Sequence, residues 1–105
     1  MKYDIQITSR AEHDIISAAD YIEHILLNPK ASDLLLNSID KTINSLRDFP
    51  KKHPLTDDPV LKSWDIRFVK VDNYLIFYTV SELDKTVYIV RVLYKRRNWI
   101  ALLKV

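Results

Sequence analysis

The period of the apolar residues shifts in mid-chain from helical to alternating, and that shift constrains the fold more than any other feature. From Ala11 to Phe49 the repeat is helical; from Trp64 onward it alternates. A chain built this way pairs a helical half with a sheet half.

In the helical half, Ala11, Ile15, Ala18, Ile22 and Ile25 or Leu26 recur at helix spacing. Ser9-Arg10-Ala11-Glu12 reads as an S-x-x-E capping box at the start of this stripe. Asn28-Pro29 stops the helix, because proline disfavours the α region for the residue before it. The same Asn28 can cap a second helix with Pro29 at its first position. Ala31, Leu35, Ile39, Ile43 and Leu46 form that helix's stripe, widened by Leu34 and Leu36, and Phe49-Pro50 closes it. The spacing gives helices over 9–27 and 29–48, antiparallel because their connection is so short.

A short strand precedes them, since Tyr3, Ile5 and Ile7 alternate with Lys2, Asp4 and Gln6. Residues 51–63 read as a polar connecting loop. Beyond it, Trp64, Ile66 and Phe68 point one way and Asp65, Arg67 and Val69 the other. Asp72-Asn73 is a two-residue turn signal, 74–80 a strand, 81–85 a longer turn, and 86–94 a strand rich in Val, Ile and Tyr. The remainder, through Trp99-Ile100-Ala101-Leu102-Leu103, reads as a short helix or an irregular tail. The order is β-α-α-β-β-β. The helical hairpin must bury its stripe on one sheet face, giving a two-layer α+β fold in a single domain over 1–105, with the other face open on at least one side.

Composition removes whole classes of chemistry. The 105 residues include no cysteine, so disulfides, thiolate catalysis and Cys-ligated zinc are excluded. They include no glycine, which excludes a Walker loop, a G-x-G-x-x-G fingerprint and a G-x-S-x-G elbow. His13 and His24 lie too far apart for metal ligation from one helix, so neither a metal nor a cofactor is expected. No apolar run approaches the ~20 residues of a membrane span, and residues 1–10 lack a signal-peptide core; the expected location is the cytoplasm.

The net charge of +2 is uneven. Residues 1–50 carry 5 basic and 8 acidic side chains, a balance of −3. Residues 51–105 carry 11 basic and 6 acidic, a balance of +5. Such a field favours anionic partners, although a solvated basic face is the plainer explanation.

Four blocks in order then resemble the RelE/ParE toxins of bacterial type II toxin–antitoxin modules, in particular the ParE-like, plasmid-stabilisation subgroup. They are Ser9-Arg10-Ala11-Glu12-His13-Asp14-Ile15 running on to Tyr21-Ile22, Leu46-x-x-Phe49-Pro50, Tyr74-Leu75-Ile76-Phe77-Tyr78, and Val90-Arg91-Val92-Leu93-Tyr94-Lys95-Arg96-Arg97. The resemblance implies the same β-α-α-β-β-β arrangement and a growth-inhibiting protein held inactive by a cognate antitoxin. It implies one of two targets: mRNA cut in the ribosomal A site, or DNA gyrase.

A metal-free ribonuclease of the RelE kind needs a base, an acid and cations around the scissile phosphate. The candidates are Arg67, Arg91, Tyr94, Lys95 and Arg96. Strict alternation places Arg91 on the face of Val87, Ile89 and Leu93, where the alternatives are a salt bridge to Asp65 or another acid, or simple exposure. One departure counts against cleavage: Leu75 stands where cleaving relatives carry an arginine, and no His or Glu base is evident. The R-A-E-x-D opening and two long helices fit the ParE-like toxins better, so gyrase poisoning is preferred to mRNA cleavage. A degenerate protein that only binds its antitoxin is the third reading. Lys51, Lys52, Arg96 and Arg97 are candidates for contact with a nucleic acid or other target. Trp99, Ile100 and Leu103 are expected to pack on the sheet or lie beneath the antitoxin.

Overall fold

The structure, a computed structural model, describes residues 2–105. Strand β1 (Asp4–Ile7) leads into helix α1 (Ser9–Asp20), which continues through a π turn over Tyr21–Ile25. Helix α2 (Pro29–Ser45) returns beside it. A 3-10 turn (Pro50–Lys52) and a short helix α3 (Pro59–Ser63) precede strands β2 (Arg67–Val71), β3 (Tyr74–Ser81) and β4 (Thr86–Tyr94). Helix α4 (Trp99–Leu103) follows. Among the described residues no helix is long and apolar enough to cross a membrane.

The expected element order holds, with additions. The segment 51–63, read as a loop, contains both the 3-10 turn and α3. Asp58 builds α3 by accepting from the Leu61 N–H at 3.1 Å, with Pro59 at the first helical position. The α1 cap is not Ser9. Thr8 caps it, accepting from the Ala11 N–H at 3.2 Å, while its hydroxyl donates to the Ile89 carbonyl at 2.8 Å. One threonine thus starts the helix and moors it to β4. Asn28 caps α2 as its position implies, accepting from Ala31 N–H at 3.1 Å.

The sheet order is β1-β4-β3-β2. The meander is antiparallel, and Asp72-Asn73 forms its two-residue turn, closed by the Val71–Tyr74 pair. Strand β1 joins the far side of β4 in parallel, from Asp4 opposite Thr86 to Ile7 opposite Ile89. A parallel neighbour requires a crossover connection, which the helical hairpin supplies.

The hairpin packs on one face of the sheet. Ala11, Ala18, Leu35, Ile39, Ile43 and Leu46 are buried against Val71, Ile76, Tyr78, Val87, Ile89 and Val92. Small residues on α1 let it lie close, and Ser32 on α2 donates to the Ala19 carbonyl at 2.9 Å. The apolar stripe is not buried to its end. Ile25 and Leu26 are 66% and 55% exposed, and Leu34 and Leu36 face outward as well.

The second face is not open, contrary to the simple two-layer expectation. Leu61, Ile66, Phe77 and Leu93 form a second core there, packed with Phe68, Leu75, Val90, Trp99, Leu102 and Leu103. Helices α3 and α4 therefore cover the face opposite the hairpin. Trp64, expected beside Ile66 and Phe68, instead caps the end of α3 and is about half exposed.

Without glycine, the left-handed turns fall to other residues. Leu27, Phe49, Asp65, Asp72 and Lys85 all have φ between 50° and 58°. Asp tolerates this region better than most residues, whereas leucine and phenylalanine do so only at a cost in steric strain.

Candidate functional site

A register shift between Phe77 and Tyr78 decides where β4 aims its side chains. Tyr78 pairs with Ile89, but Phe77 pairs with Arg91, so Val90 is the extra residue of a β-bulge. Val87 and Ile89 face the hairpin. After the bulge the phase reverses: Val92 faces the hairpin, and Leu93 joins the second core. Arg91 therefore does not share the face of Val87 and Ile89 as strict alternation requires. It lies across from Phe77, beyond the end of β1, where β4 has lost its parallel neighbour.

There Arg91 meets Asp14 of α1. Arg91 Nε donates to Asp14 Oδ2 at 2.7 Å and Nη2 donates to Oδ1 at 3.0 Å. The Val92 N–H also donates to Asp14 Oδ2, at 3.0 Å. This hydrogen-bonded partner raises the Arg91 pKa further above its ordinary value. Arg91 is thus held as a clasp between α1 and β4, and its partner is Asp14 rather than Asp65. Asp14 was visible in the sequence as the aspartate of the R-A-x-x-D block. The bulge that brings it to Arg91 leaves no mark in the apolar pattern.

Arg67 is also engaged. Its Nη1 donates to the carbonyls of His53 at 2.7 Å and Lys51 at 3.2 Å, holding the 50s segment over the start of β2. Nearby, the Tyr78 hydroxyl donates to the Pro50 carbonyl at 2.6 Å, and burial pushes its pKa up to about 12. Burial, aided by Lys52, lowers the pKa of His53.

Tyr94, Lys95, Arg96 and Arg97 leave the end of β4 together. Tyr94 stacks edge-on against Tyr74, with ring centroids 5.5 Å apart. The Lys95 N–H donates to the Asn73 carbonyl at 2.8 Å, tying this segment to the β2–β3 turn. Arg96 and Arg97 are exposed. Lys51 and Lys52 lie elsewhere. Lys51 pairs with Glu82 in the β3–β4 turn at 3.5 Å, and Lys52 donates to the Ser45 carbonyl at 3.1 Å. The four proposed target-contact residues thus flank opposite ends of β4 and do not form one patch.

Trp99 packs on Phe77 with ring centroids 5.2 Å apart, and Leu103 joins the same second core. Of the expected outcomes for the tail, packing on the sheet is what the structure shows; Ile100 stays on the outside. The arrangement leaves a concavity of about 960 Å³ between the distal end of the hairpin and the β2–β3 turn. Ala18, Tyr21, Leu26, Leu35, Tyr74 and Tyr94 are among its walls, with Arg97 and Asp72 at its polar margin.

A helical hairpin crossing between a parallel edge strand and a three-stranded meander is the architecture of the RelE/ParE toxins. A chain of the chromosomal ParDE toxin–antitoxin system from P. aeruginosa has the same fold, with a TM-score of 0.71 at 14% identity over 89% of this chain and 96% of that one. So does a chain of the toxin–antitoxin complex RelBE2 from Mycobacterium tuberculosis, with a TM-score of 0.61 at 16% identity over 90% of this chain and 99% of that one. No curated protein sequence matches this chain. Residues 5–99 match the model of the ParE toxin of the parDE type II toxin–antitoxin system, and the chain belongs to that family.

Proposed function

We propose that this toxin acts in the cytoplasm by poisoning DNA gyrase, and that a cognate antitoxin masks it. The observation that carries this reading is the covered second face of the sheet. A ribonuclease of this architecture needs cations, an acid and a base gathered on an accessible surface. Here that face holds Phe77, Leu93, Leu75 and Trp99 in an apolar core. Leu75 stands where a phosphate-binding arginine is wanted, Arg91 is committed to Asp14, and Arg67 is committed to backbone carbonyls. Of the cleavage candidates, only Tyr94, Lys95 and Arg96 remain together, at and just past the end of β4.

Two assays on purified protein decide between the targets. With gyrase and supercoiled DNA, the expected result is trapped cleavage complexes or lost supercoiling. With mRNA on programmed ribosomes, the expected result is intact message. Ribosome-dependent cleavage would replace this reading with the ribonuclease one. Silence in both assays, with tight antitoxin binding, would leave a degenerate toxin.

A further inference from the structure

At the end of the hairpin opposite the Tyr21–Ile25 turn lies another concavity, of about 580 Å³. Tyr3, Phe49, Pro50, Lys51, Lys52 and Lys85 line it. Its walls thus combine two aromatic rings with three ammonium groups, and no carboxylate is among them. The volume suits a ligand of nucleotide size.

The turn that carries Phe49 and the two adjacent lysines is held in place from below. The Tyr78 hydroxyl donates to the Pro50 carbonyl at 2.6 Å, and Arg67 donates to the carbonyls of His53 and Lys51 at 2.7 and 3.2 Å. Its backbone is pinned to β2 and β3, while the Lys51 and Lys52 side chains stay exposed. A surface fixed in this way loses less freedom when a ligand arrives.

Phe49 supplies a free ring. It is 81% exposed and stands at φ 52°, so it pays in backbone strain without gaining burial. Lys85, on the opposite wall, is left-handed too, at φ 50°. Strained residues of this kind cluster at ligand sites. The Lys85 ammonium lies over the Tyr3 ring, 5.3 Å from its centroid, which leaves Phe49 as the ring open for stacking.

The cations select the ligand. Lys51 and Lys85 share the Glu82 carboxylate at 3.5 and 3.6 Å, and Lys52 has no carboxylate partner among the described residues. Three ammonium groups against one carboxylate leave the patch cationic. All three are lysines. Carboxylates are best held by the arginine fork, whereas lysine serves phosphate as a point charge. An open aromatic face beside such charges fits an unpaired base and its flanking phosphates.

We infer that Phe49, Lys51, Lys52 and Lys85 form a binding site for an unpaired DNA strand, with a base stacked on the Phe49 ring and phosphates on the lysines. Stacking and phosphate contact carry no base code, so the site tolerates any sequence. The inference goes beyond the gyrase reading and rests on it for the choice of DNA over RNA.

The test is fluorescence anisotropy on the purified chain with labelled oligo-dT of about 12 nucleotides. Phe49→Gly, which relieves strain and should fold, is expected to weaken binding at least about fivefold. The double substitution Lys51→Ala, Lys52→Ala should lower the slope of log affinity against log salt by about 1.4. Lys30→Ala removes an exposed charge at the far end of α2 and should change affinity by less than about twofold. No binding by the wild-type chain, or wild-type affinity in both site variants, would overturn the inference. Tighter binding of oligo-U would overturn the choice of DNA. A poly-glutamate peptide bound as tightly as oligo-dT would assign the patch to an acidic protein and overturn the site. Should a variant fail to fold, amide chemical shifts of the wild-type chain take its place. Changes at 49–52 and 82–86 are expected, and changes confined to 91–97 would overturn the assignment. Gyrase assays on the same samples separate the site from the reading beneath it. Ring-dependent oligo-dT binding by a chain that leaves gyrase untouched would keep the site and overturn the gyrase reading. Gyrase poisoning without oligo-dT binding would do the reverse.

Discussion

Asp14 and Arg91, 77 positions apart in sequence, form a two-pronged ion pair whose carboxylate also accepts the Val92 backbone N–H. Side-chain exposures of 10% for Asp14 and 15% for Arg91 place the pair largely out of water. Removing one member leaves the other charge desolvated and unpaired, which is the expensive way to break such a contact. Asp14→Ala should therefore cost about 3 kcal/mol, read as a lowered urea midpoint at constant slope. A change below about 0.5 kcal/mol would put the pair among weak surface contacts. Arg91→Ala should also lose stability, so any fall in its toxicity has to be judged against the amount of folded protein.

Glu82 gathers a smaller cluster at the opposite end of the sheet. Its carboxylate accepts from the Tyr3 hydroxyl at 2.7–2.8 Å and lies near Lys51 and Lys85. The hydrogen bond from Tyr3 and the two lysines lower the Glu82 pKa from 4.5. Bonding to Glu82 raises the Tyr3 pKa from 10.0. For Glu82, with its folded value depressed, the stabilisation is present above 4.5 and lost as pH falls through the lower folded value. For Tyr3, with its folded value raised, it is present below 10.0 and lost as pH climbs through the higher folded value. Tyr3→Phe should flatten the alkaline limb of a stability–pH profile. An unchanged alkaline limb would remove this latch from the account.

Phe49 is 81% exposed and held at φ 52° as it enters the Pro50–Lys52 turn. Phe49→Gly should relieve the left-handed strain, offset in part by a more flexible unfolded chain. The expected net gain is about 0.5 kcal/mol, measured by chemical denaturation. A loss above about 1 kcal/mol would mean that the ring packs in solution and supports the fold.

The second core makes a further claim about the tail. Trp99→Ala removes the ring that covers Phe77 and should cost about 2–3 kcal/mol, with loss of near-ultraviolet dichroism. Unchanged stability would mean that α4 does not rest on the sheet.

Arg96 and Arg97 give the sharpest functional test of the basic half. Both are exposed and outside every ion pair found among the described residues. The double substitution Arg96→Ala, Arg97→Ala should reduce growth inhibition at least tenfold in induced cells while leaving the melting temperature within about 2 °C. Full toxicity would exclude this end of β4 from the contact with the target.

Much of this architecture was legible in the residues, and for clear reasons. Periodicity marks both long helices and all four strands, because apolar residues recur at helix spacing along the first and alternate along most of the second. The Asn28-Pro29 and Asp72-Asn73 signals held because they depend on local backbone chemistry alone. What escaped depends on non-local geometry. The bulge at Val90 inserts one residue and reverses the side chains after it, so strict alternation puts Arg91 on the wrong face. The closure of the second sheet face depends on α3 and α4, each too short to show a repeat. Thr8 displaced Ser9 as the cap because its hydroxyl also reaches Ile89 on a distant strand, a contact no local motif encodes. The basic residues concentrate in one half of the chain, but sequence proximity carries no information about their separation across the sheet.

The parallel seating of β1 against β4 has a consequence during synthesis. Asp4 cannot find Thr86, nor Thr8 reach Ile89, nor Asp14 close on Arg91, until the ribosome has made residues 86–91. Closing so long a loop is entropically costly and kinetically late. Strand β1 and helix α1 therefore wait without their sheet partner until β4 has been made, and the hairpin layer closes only late in synthesis.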